Sequence, residues 1–295
     1  MIFWPRILER GTKALLFGCA SAATLAVVLI FGFLAKEGLP LFGEVSLSNL
    51  LGARWAPISH KGAKFGLQPL LAGTLLVTFT ATLLALPFGI GGAVYVAEFA
   101  SPRERAWLKP LVELLAGIPS VVLGFFGLVV LGPLVKTLFG LPSGLTALTG
   151  AILLAFMAVP TILSVSEDAL RAVPASYREA SLALGATEWE TTWRVIVPAA
   201  RSGLVAALML GVGRVVGETM AVMMCTGNAA VVTGSPLSSV RTMTATVAAE
   251  MGEVPFGSEH YRALFVVGLV LLTLTFGINL VARRFQERAG AGGRA

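Results

Sequence analysis

Long uncharged apolar runs constrain the fold of this chain more than any other feature of its sequence. One run extends from residue 14 to residue 35 and another from residue 65 to residue 97. A helix of about 20 apolar residues crosses the hydrocarbon core of a bilayer. Of the 295 residues, 13% are charged, against about 25% in soluble domains. The sequence therefore predicts an all-α polytopic membrane protein.

Six transmembrane helices are predicted from such runs and from the charged segments between them. They are placed within residues 14–35, 65–97, 114–135, 137–166, 202–225 and 263–282. Basic residues precede the first run, as they do in a signal peptide, whose cleavable apolar region has about 7–15 residues. The first run is longer than that, so it is predicted to remain as a membrane span.

The Lys and Arg residues are distributed unequally between the two sides of these spans. Of the 22, fourteen lie in the N-terminus, the 101–109 loop, the 167–201 segment and the C-terminus, seven lie on the other side, and Arg214 lies within a span. Loops rich in Lys and Arg stay on the cytoplasmic side. Both termini are therefore predicted to be cytoplasmic, and the net charge of +6 reflects topology and not nucleic-acid binding.

No set of side chains in the sequence predicts a bound metal or cofactor. His60 and His260 are the only histidines and lie far apart in the chain, while Cys19 and Cys225 lie in apolar runs as predicted free thiols. The sequence contains no Gly-Lys dipeptide, and so no P-loop for nucleotide phosphates. A nucleotide would therefore have to bind on a separate subunit.

A well-charged segment, residues 174–198, separates the fourth and fifth spans and predicts two short helices with a turn between them. Ser176 and Glu179 have the spacing of a capping box, which predicts a first helix starting near Tyr177. Gly185 is placed to take the left-handed conformation that ends this helix.

The second of these helices is predicted to begin at a capping box of Thr187 and Glu190 and to end at Pro198. One of its faces is predicted to carry three apolar residues at positions i, i+4 and i+7: Trp189, Trp193 and Ile196. Such an amphipathic pair of helices either packs on its own bundle or docks a soluble partner. The helical pattern alone leaves both alternatives open.

The predicted fifth span contains a charged pair. Arg214 lies 13 residues beyond Arg201, which on a helix is about 20 Å, at or past the middle of a hydrocarbon core about 30 Å thick. A charge there costs of order 2.5–3.5 kcal/mol to insert. Glu218 follows at i+4, so the two charges are predicted to neutralise each other on one helix face.

Two interpretations of this pair remain. It is either a structural ion pair between packed helices or an anion site on a translocation path, where a guanidinium offers forked donors to an oxyanion. In the second case the Glu218 carboxylate lowers the net attraction of the site for the anion, which suits transient binding. Gly213 and Gly217 have the spacing of close helix packing in membranes and lack the strand that a dinucleotide fingerprint requires.

The 174–198 segment resembles the EAA loop of bacterial ABC importer permeases. The resemblance is carried by Glu179-Ala180-Ser181, Gly185 and Ile196-Val197-Pro198, with Ser181 where that family usually has Ala. It implies a type I ABC importer permease fold in which residues 167–200 form a cytoplasmic coupling loop seated in a groove of the ATPase subunit. The residues implied in this contact are Glu179, Ala180, Gly185, Trp189, Trp193 and Pro198.

A second resemblance concerns the cargo. Gly213–Val222 is similar to the signature of phosphate-specific ABC importer permeases, and Glu218-Thr-Met-Ala-Val222 resembles their C-type subunit. Stretches at Glu113–Phe126, Arg241–Thr246 and Glu250–Glu253 agree with it, and the resemblance covers about residues 65–282. It implies that Arg214, Glu218 and Thr219 lie on the phosphate path.

This family resemblance also implies partners and a mechanism. The chain is expected to pair with an A-type phosphate permease subunit, with two ATPase subunits that hold ATP and magnesium, and with an extracytoplasmic phosphate-binding protein. It would itself bind no cofactor and would lie among lipids in the bacterial inner membrane, passing phosphate by alternating access. The expected division is residues 1–13 (cytoplasmic), 14–69 (first span and outer loop), 70–284 (permease domain) and 285–295 (disordered tail).

Some alternatives stay open in the sequence. The cargo is either phosphate or another oxyanion such as molybdate, tungstate or sulfate, and an ion-driven secondary transporter with Glu218 as its proton site is a rival class. Within the outer segment 237–253, Thr242, Thr244 and Thr246 alternate with apolar residues. This segment is either a short helix that dips toward the pore or a surface loop helix.

Overall fold

The computed structural model of the protein describes residues 3–59 and 62–291, and its regular structure is almost entirely helical. The helices, in order, are α1 (Phe3–Gly38), α2 (Leu41–Glu44), α3 (Leu47–Leu50), α4 (Gln68–Val94), α5 (Pro102–Ala116), α6 (Ser120–Phe126), α7 (Gly132–Phe139), α8 (Ala147–Arg171), α9 (Ala175–Ala183), α10 (Glu188–Thr191), α11 (Val197–Ala199), α12 (Arg201–Gly217), α13 (Met220–Cys225), α14 (Met243–Glu250) and α15 (Glu259–Ala291). Single π-helical turns continue α4, α6 and α10: Tyr95–Phe99, Gly127–Leu131 and Thr192–Ile196.

Two short strands form an antiparallel pair after α3. They are β1 (Trp55–Ala56) and β2 (Lys64–Phe65), with Trp55 opposite Phe65. The Trp55 and Phe65 side chains are buried together with Leu41, Leu50 and Leu264. The strands therefore fold the first outer loop onto the start of α15.

The long helices agree with five of the predicted spans. In the described part of the chain, five stretches are long and apolar enough to cross a membrane: Gly11–Glu44, Gln68–Phe99, Ser120–Phe139, Ala147–Arg171 and Glu259–Val281. A sixth results if Glu188–Ala199 and Arg201–Gly217 are counted as one span, which is bent by 71°. The predicted all-α membrane fold is confirmed, while the fifth span follows a different course from the continuous helix expected at residues 202–225.

Helices α4 and α8 form the centre of the bundle, and α12 packs on α8. Small residues allow this close approach, since a Cβ atom on Gly89 would lie 2.6 Å from the Ile162 side chain and one on Gly211 would lie 2.5 Å from it. The core around them includes Val77, Ala81, Ala85, Leu154, Ala158 and Val215. Because lipid tails are as apolar as these side chains, tight packing drives this association more than removal from solvent does.

The bundle has two different ends. At the loop end, residues 175–200 pack against the last turns of α4 and α8. At the hairpin end, β1, β2 and α14 pack against the first turns of α4 and α15. Gly38, at the end of α1, contacts Val266 near the start of α15. The two outermost helices therefore run antiparallel, and the start of α1 and the end of α15 both point toward the loop end.

The third span begins later than predicted. The expected span 114–135, interrupted by Pro119, is instead two helices, because α5 ends at Ala116 and Pro119 precedes the first residue of α6. The predicted basic loop 101–109 is the first half of α5, which starts at a capping box of Ser101 and Glu104. Hydrogen bonds from the backbone and hydroxyl of Ser101 lower the pKa of the Glu104 carboxyl.

The ends of the chain and the two cysteines complete the fold. Helix α15 continues to Ala291, and residues 292–295 of the predicted tail lie outside the described residues. His60 also lies outside them. Both cysteines are free thiols, as predicted, with Cys19 exposed and Cys225 buried.

Candidate functional site

The predicted fifth span breaks at the charged residue that follows Gly217. Helix α12 ends there, Glu218 takes an extended conformation with φ −72° and ψ 133°, and α13 begins at Met220. The prediction of one helix through residue 225 was therefore wrong. The break lies toward the hairpin end of the bundle, since α12 starts in the core of the loop end at Leu204.

Glu218 bonds to both sides of this break. Its carboxylate atom Oε1 accepts a hydrogen bond from the backbone N–H of Ala221 at 3.3 Å, which caps the first turn of α13. Its backbone carbonyl accepts a hydrogen bond from the Thr244 hydroxyl at 2.9 Å. The carboxylate has four lone-pair sites, and this backbone bond is its one hydrogen bond within the described residues. It can therefore accept further donors.

Arg214 lies exposed in the last turn of α12. Within the described chain it forms neither a hydrogen bond nor an ion pair with Glu218. The predicted neutral pair on one helix face is therefore wrong, because Glu218 has left the helix and the i, i+4 geometry no longer applies. The guanidinium instead presents its donors on the outer surface of α12.

The exposed side of α12 is a strip made of Leu210, Gly213, Arg214 and Gly217, which lie at i, i+3, i+4 and i+7. A Cβ atom added to Gly213 or Gly217 would meet no heavy atom within 4 Å. The packing predicted for the two glycines is therefore not made within the part of the chain that the structure describes. The strip leaves the backbone of α12 open to approach from outside, with one positive charge at its centre.

Thr219, the third residue predicted on the substrate path, lies inside the break. Its hydroxyl donates to the Gly217 carbonyl at 3.3 Å, and its side chain is partly exposed. The Thr219 hydroxyl therefore gives a hydrogen-bond donor to one of the last carbonyls of α12, which lack donors within the helix.

The 237–253 segment contains α14, and the first half of this helix is buried. Thr242, Thr244 and Thr246 are all buried, and α14 packs against α13, α4 and α15. Ala248 and Ala249 are exposed, so the helix is packed into the bundle at its start and lies at the surface at its end. The contact of Thr244 with Glu218 has no local sign in the sequence, because the two residues lie 26 positions apart.

The 175–200 loop contains the two predicted helices with different ends. Helix α9 starts at Ala175 after Pro174, so Ser176 is already inside it and the predicted Ser176–Glu179 capping box does not form. Gly185 has φ +85° and ends the helix as predicted. The second capping box is confirmed: the Thr187 hydroxyl accepts from the Glu190 N–H at 3.2 Å, and the Glu190 carboxylate accepts from the Thr187 N–H at 3.1 Å. The hydrogen bonds that the carboxylate accepts from the Thr187 N–H and hydroxyl lower the pKa of Glu190.

The second helix of the loop contains a π-helical turn, which changes its faces. Trp189 and Trp193 are 61% and 42% exposed, whereas Ile196 is fully buried. The predicted common face of the three residues is wrong, because the wider turn at Thr192–Ile196 shifts the register. Pro198 lies inside α11 and does not end the helix, since the chain bends only after Ala199.

The surface of this loop is exposed and aromatic. The Trp189 and Trp193 ring centroids lie 5.5 Å apart, and the Phe99 ring lies 6.0 Å from that of Trp189. All six residues predicted to contact an ATPase are exposed: Glu179, Ala180, Gly185, Trp189, Trp193 and Pro198. All six are therefore open to contact from outside the chain.

An ion pair that sequence reasoning missed ties this loop to the bundle. The Arg178 guanidinium binds both carboxylate oxygens of Glu98 at 3.0 and 2.6 Å, and the Glu98 side chain is 6% exposed. Glu98 lies in the π-helical turn that ends the long helix beginning with α4. Nearby, the buried Glu167 lies between Arg171 at 2.8 Å and Lys109 at 3.5 Å. The Arg178–Glu98 pair therefore joins α9 to the end of the second span.

Comparison with known proteins gives one family and close sequence relatives. The family model described as binding-protein-dependent transport system inner membrane component matches residues 85–290. The probable ABC transporter permease protein YqgH of Bacillus subtilis (strain 168) is 39% identical over 94% of this chain and 90% of its own length. The phosphate transport system permease protein PstC of Mesorhizobium japonicum is 34% identical over 95% and 93%.

A solved structure gives the same fold. One chain in the crystal structure of a bacterial alginate ABC transporter, in complex with a periplasmic protein bound to an alginate pentasaccharide, superposes with a TM-score of 0.64. The match covers 96% of this chain and 98% of that one at 15% sequence identity. At this identity the likeness concerns the fold alone.

Proposed function

This chain belongs to the family of binding-protein-dependent transport system inner membrane components, and we propose that it is the C-type permease subunit of an ATP-driven phosphate importer. It is an ABC importer permease of the inner membrane, with the predicted type I fold. The observation that carries the phosphate proposal is the break in the fifth span. It leaves the Arg214 guanidinium exposed and the Glu218 carboxylate with open lone pairs, inside the stretch that resembles the phosphate-specific signature.

The two side chains suit an oxyanion that still carries a proton. A guanidinium donates forked hydrogen bonds to the oxygens of a tetrahedral anion. An ionised carboxylate is an acceptor only, so it needs a donor on the substrate. Inorganic phosphate near neutral pH has an O–H to donate, whereas sulfate and molybdate are fully deprotonated. Glu218 therefore favours phosphate over those anions and weakens the net attraction, so that the ion passes on.

The exposed loop supports coupling to a separate ATPase. We place the two ATPase subunits, which hold ATP and magnesium, against the aromatic surface of the 175–200 loop, since this sequence has no P-loop. Closure of those subunits would push α9, and the Arg178–Glu98 pair would pass the movement to the second span. The loop end, with both termini, is then cytoplasmic.

The remaining partners follow from the exposed surfaces. The strip of Leu210, Gly213, Arg214 and Gly217 is offered to the A-type permease subunit, which would complete the pathway beside Arg214 and Thr219. An extracytoplasmic phosphate-binding protein would deliver the ion at the hairpin end. The substrate then crosses by alternating access between the two permease subunits.

The test is uptake of labelled phosphate by cells that lack their own permease and express this chain with its cognate partners. Arg214→Gln is compared with wild type and with Lys136→Gln, which removes an exposed cation outside the fifth span. We expect Arg214→Gln to lower uptake at least about tenfold, because charge-assisted hydrogen bonds contribute about 1.5–3 kcal/mol each. The Lys136→Gln control should transport normally.

Competing anions and energy sources separate the alternatives. Excess sulfate or molybdate should leave phosphate uptake unchanged, and loss of the ATPase should abolish it. Competition by another oxyanion would keep the importer and overturn the phosphate assignment. Uptake that survives loss of the ATPase and collapses with an uncoupler would favour an ion-driven transporter with Glu218 as its proton site. Normal uptake by Arg214→Gln would contradict the role of Arg214.

A further inference from the structure

A side chain of helix α14 bonds to the break in the fifth span. The Thr244 hydroxyl donates to the backbone carbonyl of Glu218 at 2.9 Å. This carbonyl has no helical partner, because Glu218 is extended and the ladder of α12 ends at Gly217. A carbonyl left without a donor in an apolar bundle is costly. Thr244 therefore compensates for the hydrogen bond that the break removes.

The direction of the hydrogen bonds around Thr244 follows from counting protons. A hydroxyl has one proton to donate, and Thr244 gives its proton to Glu218. Its oxygen lies 3.1 Å from the Thr242 hydroxyl, so Thr242 is the donor in that pair. Thr242 in turn accepts from the backbone N–H of Ala245 at 3.3 Å. The first turn of α14 therefore forms a directed chain of hydrogen bonds that ends on Glu218.

Both ends of α14 are anchored independently of the break. At its start, the Met243 N–H donates to the Thr74 hydroxyl of α4 at 3.0 Å. At its end, Glu250 accepts from the Trp55 indole at 3.1 Å, lies 2.8 Å from the His260 ring nitrogen and pairs with Arg241. A side chain on so fixed a helix presents its hydroxyl in one place. Thr244 therefore reaches the Glu218 carbonyl from a helix that is bonded at both ends to other parts of the bundle.

We propose that Thr244 is a positioning residue for Glu218, fixing the break that directs the Glu218 carboxylate toward the transported anion. The proposal rests on the assignment of Glu218 to the substrate path. Thr244 itself touches the backbone of Glu218 and not its carboxylate. Its effect is therefore to hold the α12–α13 junction so that the carboxylate, capped on one side by Ala221, has its remaining lone pairs free.

Thr246 provides a matched control on the same helix. Its side chain is fully buried, and its hydroxyl donates to the Thr242 carbonyl of its own helix at 2.8 Å. Thr246→Val and Thr244→Val therefore remove the same atoms from two buried positions, with Thr244 8% and Thr246 0% exposed. Only Thr244→Val removes a hydrogen bond to the break, whereas Thr246→Val removes one within α14.

The first readout is uptake efficiency, the maximal rate divided by the half-saturating phosphate concentration. We expect Thr244→Val to lower it about tenfold, which corresponds to about 1.4 kcal/mol for one hydrogen bond lost at a buried carbonyl. Thr244→Ser should restore it, and Thr246→Val should stay within about threefold of wild type. Thr244→Val should add no further loss to Glu218→Gln, because residues that act through one another are not additive. Equal losses in Thr244→Val and Thr246→Val would overturn the proposal.

The second readout does not require transport. Gly217→Cys is combined with Cys19→Ser, and the rate at which the new thiol reacts with a maleimide is measured in membranes that contain this chain without the A-type subunit. The rate should change when Thr244→Val is added and stay the same with Thr246→Val. Wild-type uptake of another oxyanion, with these rates still different, would refute the phosphate assignment alone. Equal rates alongside normal phosphate uptake would refute the positioning role alone.

Discussion

The 175–200 loop and the break at Glu218 each interrupt a helix and leave candidate functional side chains exposed next to the interruption. Different contacts form the two interruptions. In the loop, the turn is made by neighbours: Gly185 takes φ +85°, and Thr187 and Glu190 cap each other. At the break, the Glu218 carbonyl accepts a hydrogen bond from the Thr244 hydroxyl, which lies 26 residues further along the chain. The turn in the loop is formed by residues that are neighbours in sequence. The break depends on α14, which lies further along the chain.

This difference determines how each region responds to change. A locally encoded turn keeps its shape while it moves as a unit, which suits a surface that follows a soluble partner. A turn bonded by a separate helix is fixed relative to the rest of the bundle, which suits side chains that must meet an ion at one point. The comparison predicts that changes within the loop are mild unless they sever its attachment to the bundle.

The largest effect is expected from Arg178→Ala, which severs that attachment. It leaves the Glu98 carboxylate, 6% exposed, without its two guanidinium hydrogen bonds. Removing one partner of such a pair costs about 3 kcal/mol, so the purified protein should show a clearly lower melting temperature and much reduced uptake. Arg194→Ala is the control, since the Arg194 side chain is 80% exposed and pairs with Glu190 at 3.8 Å. It should cost about 0.5 kcal/mol or less.

A second variant tests the origin of the Arg178 effect. Adding Glu98→Gln to Arg178→Ala should recover part of the stability, because the buried group no longer carries an unpaired charge. Equal melting temperatures for Arg178→Ala and Arg194→Ala would contradict the prediction. The Arg178–Glu98 pair would then add no measurable stability, and the loop would not depend on its attachment to the bundle.

Much of the fold follows from patterns that neighbouring residues make. Uncharged runs long enough to cross a bilayer located the spans, and the turn of the loop followed from Gly185, Thr187 and Glu190. The failures share a physical cause. The expected Ser176 capping box, the single face with Ile196 and the ion pair of Arg214 all assumed an undisturbed helix, which an early start, a π turn and a break removed.

The candidate site was predictable in its residues but not in its geometry. A charge within a span identified Arg214, because inserting it is costly wherever it points. One bond that fixes Glu218 comes from Thr244, 26 positions away, and the ion pair that anchors the loop joins residues 80 positions apart. Such pairs leave no periodic signal, since their partners lie on different helices and share no spacing. The second partner of each pair became known only from the packed structure.

A medium effect should separate the two sides of α12, just before the break. A Cβ atom on Gly211 would lie 2.5 Å from the Ile162 side chain, whereas one on Gly213 would meet no heavy atom within 4 Å. Gly211→Ala should therefore destabilise this chain by about 1–3 kcal/mol through overpacking. Gly213→Ala should leave its melting temperature unchanged and weaken its association with the second permease, measured by co-purification. Intact association with Gly213→Ala would show that the exposed strip is not the contact between the subunits.

The smallest effect is expected within the loop, at its capping box. Thr187→Ala removes the hydroxyl that accepts from the Glu190 N–H and should cost about 1 kcal/mol of local stability. Hydrogen exchange of the amides in Glu188–Thr191 measures it, because opening of this turn alone exposes them. Thr244→Val should leave these amides unchanged if the turn is locally encoded. Faster exchange in Thr244→Val would show that the stability of the loop depends on the break, which would contradict a locally encoded turn.

Acid provides a second way to remove the same cap. Hydrogen bonds from Thr187 lower the pKa of the Glu190 carboxyl in the folded loop below its ordinary value of 4.5. The stabilisation is therefore complete above pH 4.5 and is lost as the pH falls through the lower, folded-state pKa. Protection of the Glu188–Thr191 amides should decline over that range in wild type, and much less in Glu190→Gln, which cannot titrate. A decline of equal size in both proteins would assign the acid sensitivity to another carboxylate, and the loop would then depend on contacts beyond its own residues.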